Sequence, residues 1–96
     1  MQSYETLFIT HPDLTPEESS LLTERVKNVI TTNGGELGEV EEWGKRRLAY
    51  EIRKVRDGYF NLVYFSGPKE VLDELNHIYK ITENILRGIV VKNEKK

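Results

Sequence analysis

The chain has no cysteine, which removes a disulfide framework, a thiolate metal site and a cysteine nucleophile at once and suits a reducing cytoplasm. No apolar run approaches the roughly 18 residues that a spanning helix needs, and the N-terminal "MQSYETLFIT" lacks a basic region followed by a long apolar stretch. Membrane insertion and secretion are therefore disfavoured. No glycine-rich loop has phosphate-binding spacing, because "TNGGELG" follows a helical segment where a nucleotide loop follows a strand. The two histidines, His11 and His77, have no Ser or Asp constellation beside them. Glu36, Glu39, Glu41 and Glu42 lack the loop spacing of a calcium site. The sequence thus offers no catalytic residue, and no metal, cofactor or small-molecule substrate is expected.

What remains is an ordinary globular composition, 38% hydrophobic and 31% charged, in 96 residues, enough for one modest core and one domain, 1–96. The net charge is −2, but it is unevenly placed. Residues 1–44 carry nine acids and two bases, whereas 45–96 carry twelve bases and seven acids. Screening confines a field to roughly 8 to 10 Å at physiological salt, so a ligand meets the local patch and not the total.

The hydrophobic periodicity gives an element order. "SYETLFIT", residues 3–10, is rich in aromatic and β-branched types and stops at the turn signal "HPD". Thr15, Pro16 and Glu18 have the spacing of a capped helix start, and Leu22, Val26, Val29 and Ile30 make one apolar stripe before Asn33-Gly34-Gly35 stops it. From Glu36 to Phe65 the period switches to two, with Leu48, Tyr50 and Ile52 alternating with polar neighbours. "RDG" at 56–58 is the expected turn of a long hairpin whose arm, on this reading, is loosely held. Val71, Leu72, Leu75, Ile78 and Tyr79 mark a second helix. "NILRGIVVK" reads as a last strand and "NEKK" as a frayed tail. The order βαββαβ implies an α+β, ferredoxin-like split βαβ fold, with a four-stranded antiparallel sheet and two helices on one face.

One segment does not fit a chain of negative charge. "WGKRRLAYEIRKVRDGYF", residues 43–60, contains Lys45, Arg46, Arg47, Arg53, Lys54 and Arg56, six of the fourteen lysines and arginines, between Trp43 and Tyr59. On a hairpin arm these residues offer cations to phosphates, planar guanidinium forks and aromatic faces for unstacked bases. They could equally pair with the glutamates at 36–42 and solubilise a sheet edge. Composition alone does not decide between the two.

"VEEWGKRRLAYEIRKVRDGYFNLVYF", with "YETLFI" near the start and "NILRGIVVK" near the end, resembles the bacterial small-subunit ribosomal protein six family, in order, from Tyr4 to Lys92. That resemblance implies the fold already inferred. It also implies a structural, non-enzymatic role in the central part of the small subunit, bound to its rRNA together with small-subunit ribosomal protein eighteen. Lys45, Arg46, Arg47, Tyr50 and Arg87 match family positions and inherit the rRNA-binding expectation individually, with Arg53 and Lys54 beside them. Glu51 departs from the family, where many relatives have proline, and the basic tail departs from relatives that end in acids.

Strand parity groups Thr6, Phe8, Val63, Phe65 and Val90 on one sheet face and Leu7, Ile9, Phe60, Leu62, Tyr64, Ile89 and Val91 on the other. It does not say which set the helices cover. The uncovered set would be a large apolar patch, and Leu7, Ile9, Leu62, Ile89 and Val91 are the expected contact for protein eighteen. A regulatory module that binds a small ligand or a second copy through this face is the alternative reading.

Overall fold

Thr15 opens the first helix as its spacing requires. Its hydroxyl accepts from the Glu18 amide at 3.1 Å, and its own amide donates to the Glu18 carboxylate at 2.9 Å. This capping box satisfies two amides at a helix start, where four otherwise lack an intrahelical partner. A computed structural model describes residues 2–93. Its elements are β1 (Gln2–Thr10), α1 (Pro16–Thr32), β2 (Glu36–Ile52), β3 (Val55–Gly67), α2 (Lys69–Ile81) and β4 (Ile85–Lys92). The strands form one sheet in the order β2-β3-β1-β4, with every neighbouring pair antiparallel. This is the ferredoxin-like arrangement expected from the periodicity.

The helices cover the face that carries Phe8, Val63 and Phe65. Val26 and Ile30 of α1 and Val71, Leu75, Ile78 and Tyr79 of α2 pack there, with Val90 at the margin. Tyr79 stacks on Phe8, with ring centroids 5.9 Å apart. The Thr6 hydroxyl donates to the Ile89 carbonyl at 2.8 Å, so the 2.6 Å contact between Thr6 and Tyr79 is donated by the phenol. A relay from α2 through β1 to β4 thus ties three elements together inside the core. Burial raises the Tyr79 phenol well above the ordinary tyrosine range, with the Thr6 bond opposing it weakly.

A second, smaller cluster lies elsewhere. Ile9, Leu48 and Leu86 are buried together, with Ile52, Val55 and Phe60 packed around them. The β2–β3 hairpin supplies Leu48, Ile52, Val55 and Phe60, and its far half forms an arm.

The turn of that arm differs from expectation. Ile52 pairs with Val55, and Arg53 and Lys54 between them have φ of 50° and 68°, the two positive values of a two-residue hairpin loop. "RDG" lies instead in β3, where Gly58 pairs with Arg46 and where a Cβ would press on Ile9 and the Thr10 carbonyl. Gly58 serves close approach, and the turn twist is imposed on two long basic side chains. At the other end, the Asn93 amide donates to the Ser3 carbonyl at 2.8 Å, so the expected tail is tied at its first residue. Its remainder lies outside the described residues.

The Tyr79 relay sets an alkaline limit. Its phenol is protonated in the fold and titrates near 10.0 in the unfolded chain, so the stability it gives is complete below that pH and falls as pH rises further. Tyr79→Phe is expected to cost about 0.5–1.5 kcal/mol at neutral pH and to flatten the decline above about pH 10. Urea unfolding of both proteins across that range checks it.

Candidate nucleic-acid interface

The cations of the arm are held by strand register. Lys45 pairs with Tyr59, Arg46 with Gly58 and Arg47 with Asp57 in unbroken succession, so Lys45 and Arg47 share one side and Arg46 takes the other. A register shift follows between Arg47 and Ile52, of the kind that bends a strand. Within it Leu48, only 8% exposed, is seated against Ile9 and Leu86.

Two polar contacts fasten the arm further out. The Arg53 guanidinium donates to the Glu83 carbonyl at 2.6 Å and ties the turn to the loop before β4. Arg87 of β4 donates to the Tyr50 hydroxyl. The loosely held arm expected from sequence is therefore docked, because Leu48 buries apolar surface that its alternation with polar residues left without an assigned neighbour.

Lys45, Arg47 and Lys54 make no side-chain hydrogen bond or ion pair among the described residues. Arg56 meets Glu51 at 3.4 Å on the exposed surface. Such a pair contributes about 0–1 kcal/mol. Among the described residues, none of the six cations of the block forms an ion pair with Glu36, Glu39, Glu41 or Glu42. Mutual neutralisation of the two halves of β2 is thus not what the cluster does. Its charge faces solvent.

The sequence offers Trp43, beside the block, as an aromatic face for unstacked bases, but does not show what holds it. It lies at a second register shift, between Glu42 and Gly44, where Gly44 has φ of 81°. Its ring stacks on Phe60, with centroids 6.3 Å apart and planes 10° from parallel, and the Arg46 guanidinium lies over it at 5.6 Å. The signal available in sequence was "WG", a glycine where a strand departs from simple alternation.

The sheet face turned away from the helices is covered unevenly. Of the residues expected to meet a protein neighbour, Ile89 and Val91 are 41% and 46% exposed, and Leu7 is half-buried. Ile9 and Leu62, at 6% and 9%, are already buried, which corrects their place in that set. Leu48 and Leu86 cover Ile9, whereas Leu62 sits on an inner strand between Leu7 and Glu41. Tyr64, half-buried on the same face, has its phenol raised by desolvation and then by the carboxylates of Glu41, Glu5 and Glu39. The open patch therefore has an acidic rim.

Among the described residues no helix is long and apolar enough to cross a membrane, and no His, Asp and Glu group could hold a metal ion. The chain matches the family model described as "Ribosomal protein S6" over residues 3–92. The chain belongs to the ribosomal protein S6 family. It is 46% identical over 95 residues to the small ribosomal subunit protein bS6 of Thermoanaerobacter pseudethanolicus, covering 99% of this chain and 100% of the relative. The bS6 protein of Clostridium kluyveri is 44% identical with the same coverage. A crystal structure of 30S ribosomal protein S6 from Thermotoga maritima superposes with a TM-score of 0.91 at 35% identity, covering 96% of this chain and 87% of that one. The family resemblance carried by "WGKRRLAY" is thereby borne out, and with it a structural ribosomal protein of the small subunit in place of an enzyme.

The docking of the arm can be measured. Leu48→Ala removes the residue on which the small cluster closes and is expected to cost about 2 kcal/mol, the lower end for a buried leucine. Amide exchange should quicken from Lys45 to Gly58 and stay slow at Phe8 and Val63.

Proposed function

We propose that this small-subunit ribosomal protein binds small-subunit rRNA, in the central part of the subunit, through the β2–β3 arm, together with small-subunit ribosomal protein eighteen. The observation that carries the reading is that Lys45, Arg47 and Lys54 stand without acidic partners among the described residues, on a docked arm that also carries an exposed aromatic ring. Cations held in place in this way are suited to phosphates, which supply most of the affinity of such contacts. Arg53 and Arg87 contribute to arm geometry through Glu83 and Tyr50 and keep further guanidinium donors for RNA. Arg56 has to leave or share Glu51.

The protein neighbour fits the other end of the sheet. Ile89, Val91 and Leu7 offer an apolar surface, and Glu5, Glu39 and Glu41 around Tyr64 favour a basic partner. With Ile9 and Leu62 already covered, contact concentrates on β4 and the acidic rim.

Two outcomes test the reading. Charge reversal at Lys45 and Arg47 is expected to weaken rRNA binding and to flatten the dependence of log K on log salt by roughly 0.7 to 0.9 for each phosphate contact that the reversal abolishes, read by filter binding over a salt series. An unchanged slope would refute the arm as the RNA contact. For the partner, Ile89→Asp is expected to weaken association with protein eighteen in calorimetric titration. The melting temperature should move little, because the site is already 41% exposed.

A further inference from the structure

Trp43 is the chain's one tryptophan, and it is 40% exposed. Its single donor, the indole N–H, is occupied by the Glu41 carboxylate at 3.0 Å, which fixes the ring and leaves only its π-faces to offer. One face is backed by Phe60, itself packed against the Ile9, Leu48 and Leu86 cluster. Over the ring lies Arg46, whose side chain reaches the Trp43 carbonyl at 3.4 Å and which no carboxylate holds among the described residues. Phe60, Trp43 and Arg46 thus form a stack anchored at its inner end and ending in a planar guanidinium. Lys45 and Arg47, adjacent to Arg46 along the strand, form no ion pair among the described residues.

We infer that Trp43 and Arg46 form a stacking platform for an unpaired RNA base, an inference that rests on the arm being the RNA contact. The base lies against the guanidinium plane or takes its place on the indole, as aromatic and arginine planes do for splayed bases. The flanking phosphates pass around the edge formed by β2 toward Lys45 and Arg47 on its other side, away from the acids at 36–42. A duplex hides its bases and does not fit, so the ligand is single-stranded. A protein side chain is disfavoured because charged residues, Glu41 and Arg46, lie against the ring where an apolar docking surface would need a dry rim.

The single tryptophan makes its own probe. Short oligoadenylate is expected to quench Trp43 fluorescence, and an RNA duplex of equal length to leave it unchanged. Filter binding to oligoadenylate and to small-subunit rRNA should weaken roughly 5- to 150-fold in Trp43→Leu with the salt slope preserved, because the substitution removes a stack and leaves the phosphate contacts in place. Trp43→Phe, which keeps an aromatic face, should recover most of the affinity, and melting curves confirm that both variants fold. If Trp43→Leu binds both RNAs as tightly as the parent, the platform is wrong while the arm still binds RNA. If the parent shows no salt-dependent binding to either RNA, both readings fall. If fluorescence responds to protein eighteen and not to RNA, Trp43 is a protein contact and the platform is overturned.

Discussion

The seating of Leu48 against Ile9 and Leu86 is the contact on which the rest of the molecule's surface depends. A four-stranded sheet has two faces, and two helices cover only one of them. The β2–β3 hairpin runs past the helix layer, and without an apolar anchor its far half would be a two-stranded ribbon, which is marginal in water. Leu48 supplies that anchor, and Arg53 and Arg87 then add directional bonds at the turn and at β4. The same contact fixes three things at once: the position of the cations, the backing of Phe60 and the covering of Ile9. An uncovered Ile9 would extend the apolar patch over the whole open face.

Strand β2 divides into two electrostatic halves. Its first half carries Glu36, Glu39, Glu41 and Glu42, and its second carries Lys45, Arg46 and Arg47, with Trp43 and Gly44 at the boundary. Opposite charges so close along one strand invite pairing, yet the lysine and arginine ion pairs among the described residues are Lys27–Glu24 and Arg56–Glu51. Register explains this. The shift at Glu42/Gly44 changes which way the following side chains point, and Glu41, close to the boundary, is engaged by the indole N–H.

Much of the fold was legible because its signals are local. The capping box at Thr15 and Glu18 and the stripe of Val26 and Ile30 each follow from backbone periods that tertiary contacts leave in place. The hairpin turn was not legible, because "RDG" has turn composition while Arg53 and Lys54 adopt positive φ that their residue types disfavour. What decided it was tertiary: Gly58 is needed where β3 passes close to Ile9. Strand parity separated the two faces correctly but could not say which the helices cover, since both sets are apolar. The Phe60, Trp43 and Arg46 stack was hidden for the same kind of reason, because a register shift of β2 breaks the alternation that would have placed Trp43.

The exposed side chains of the arm and the rim lie outside the core packing, so a change there does little harm to the core. Phe8, Val63 and Tyr79 tolerate little change, since each is buried and Tyr79 also donates to Thr6. Lys45, Arg47, Ile89 and Val91 lie outside that packing. Under the proposed function the division has a mechanical consequence. A single core carries two separate surfaces, a basic arm for RNA and an acid-rimmed apolar patch for a basic protein, and β2 runs through both, so one strand presents the two together. Engaging both partners then needs no conformational change. It requires only that the arm stay fastened, which is the work of Leu48.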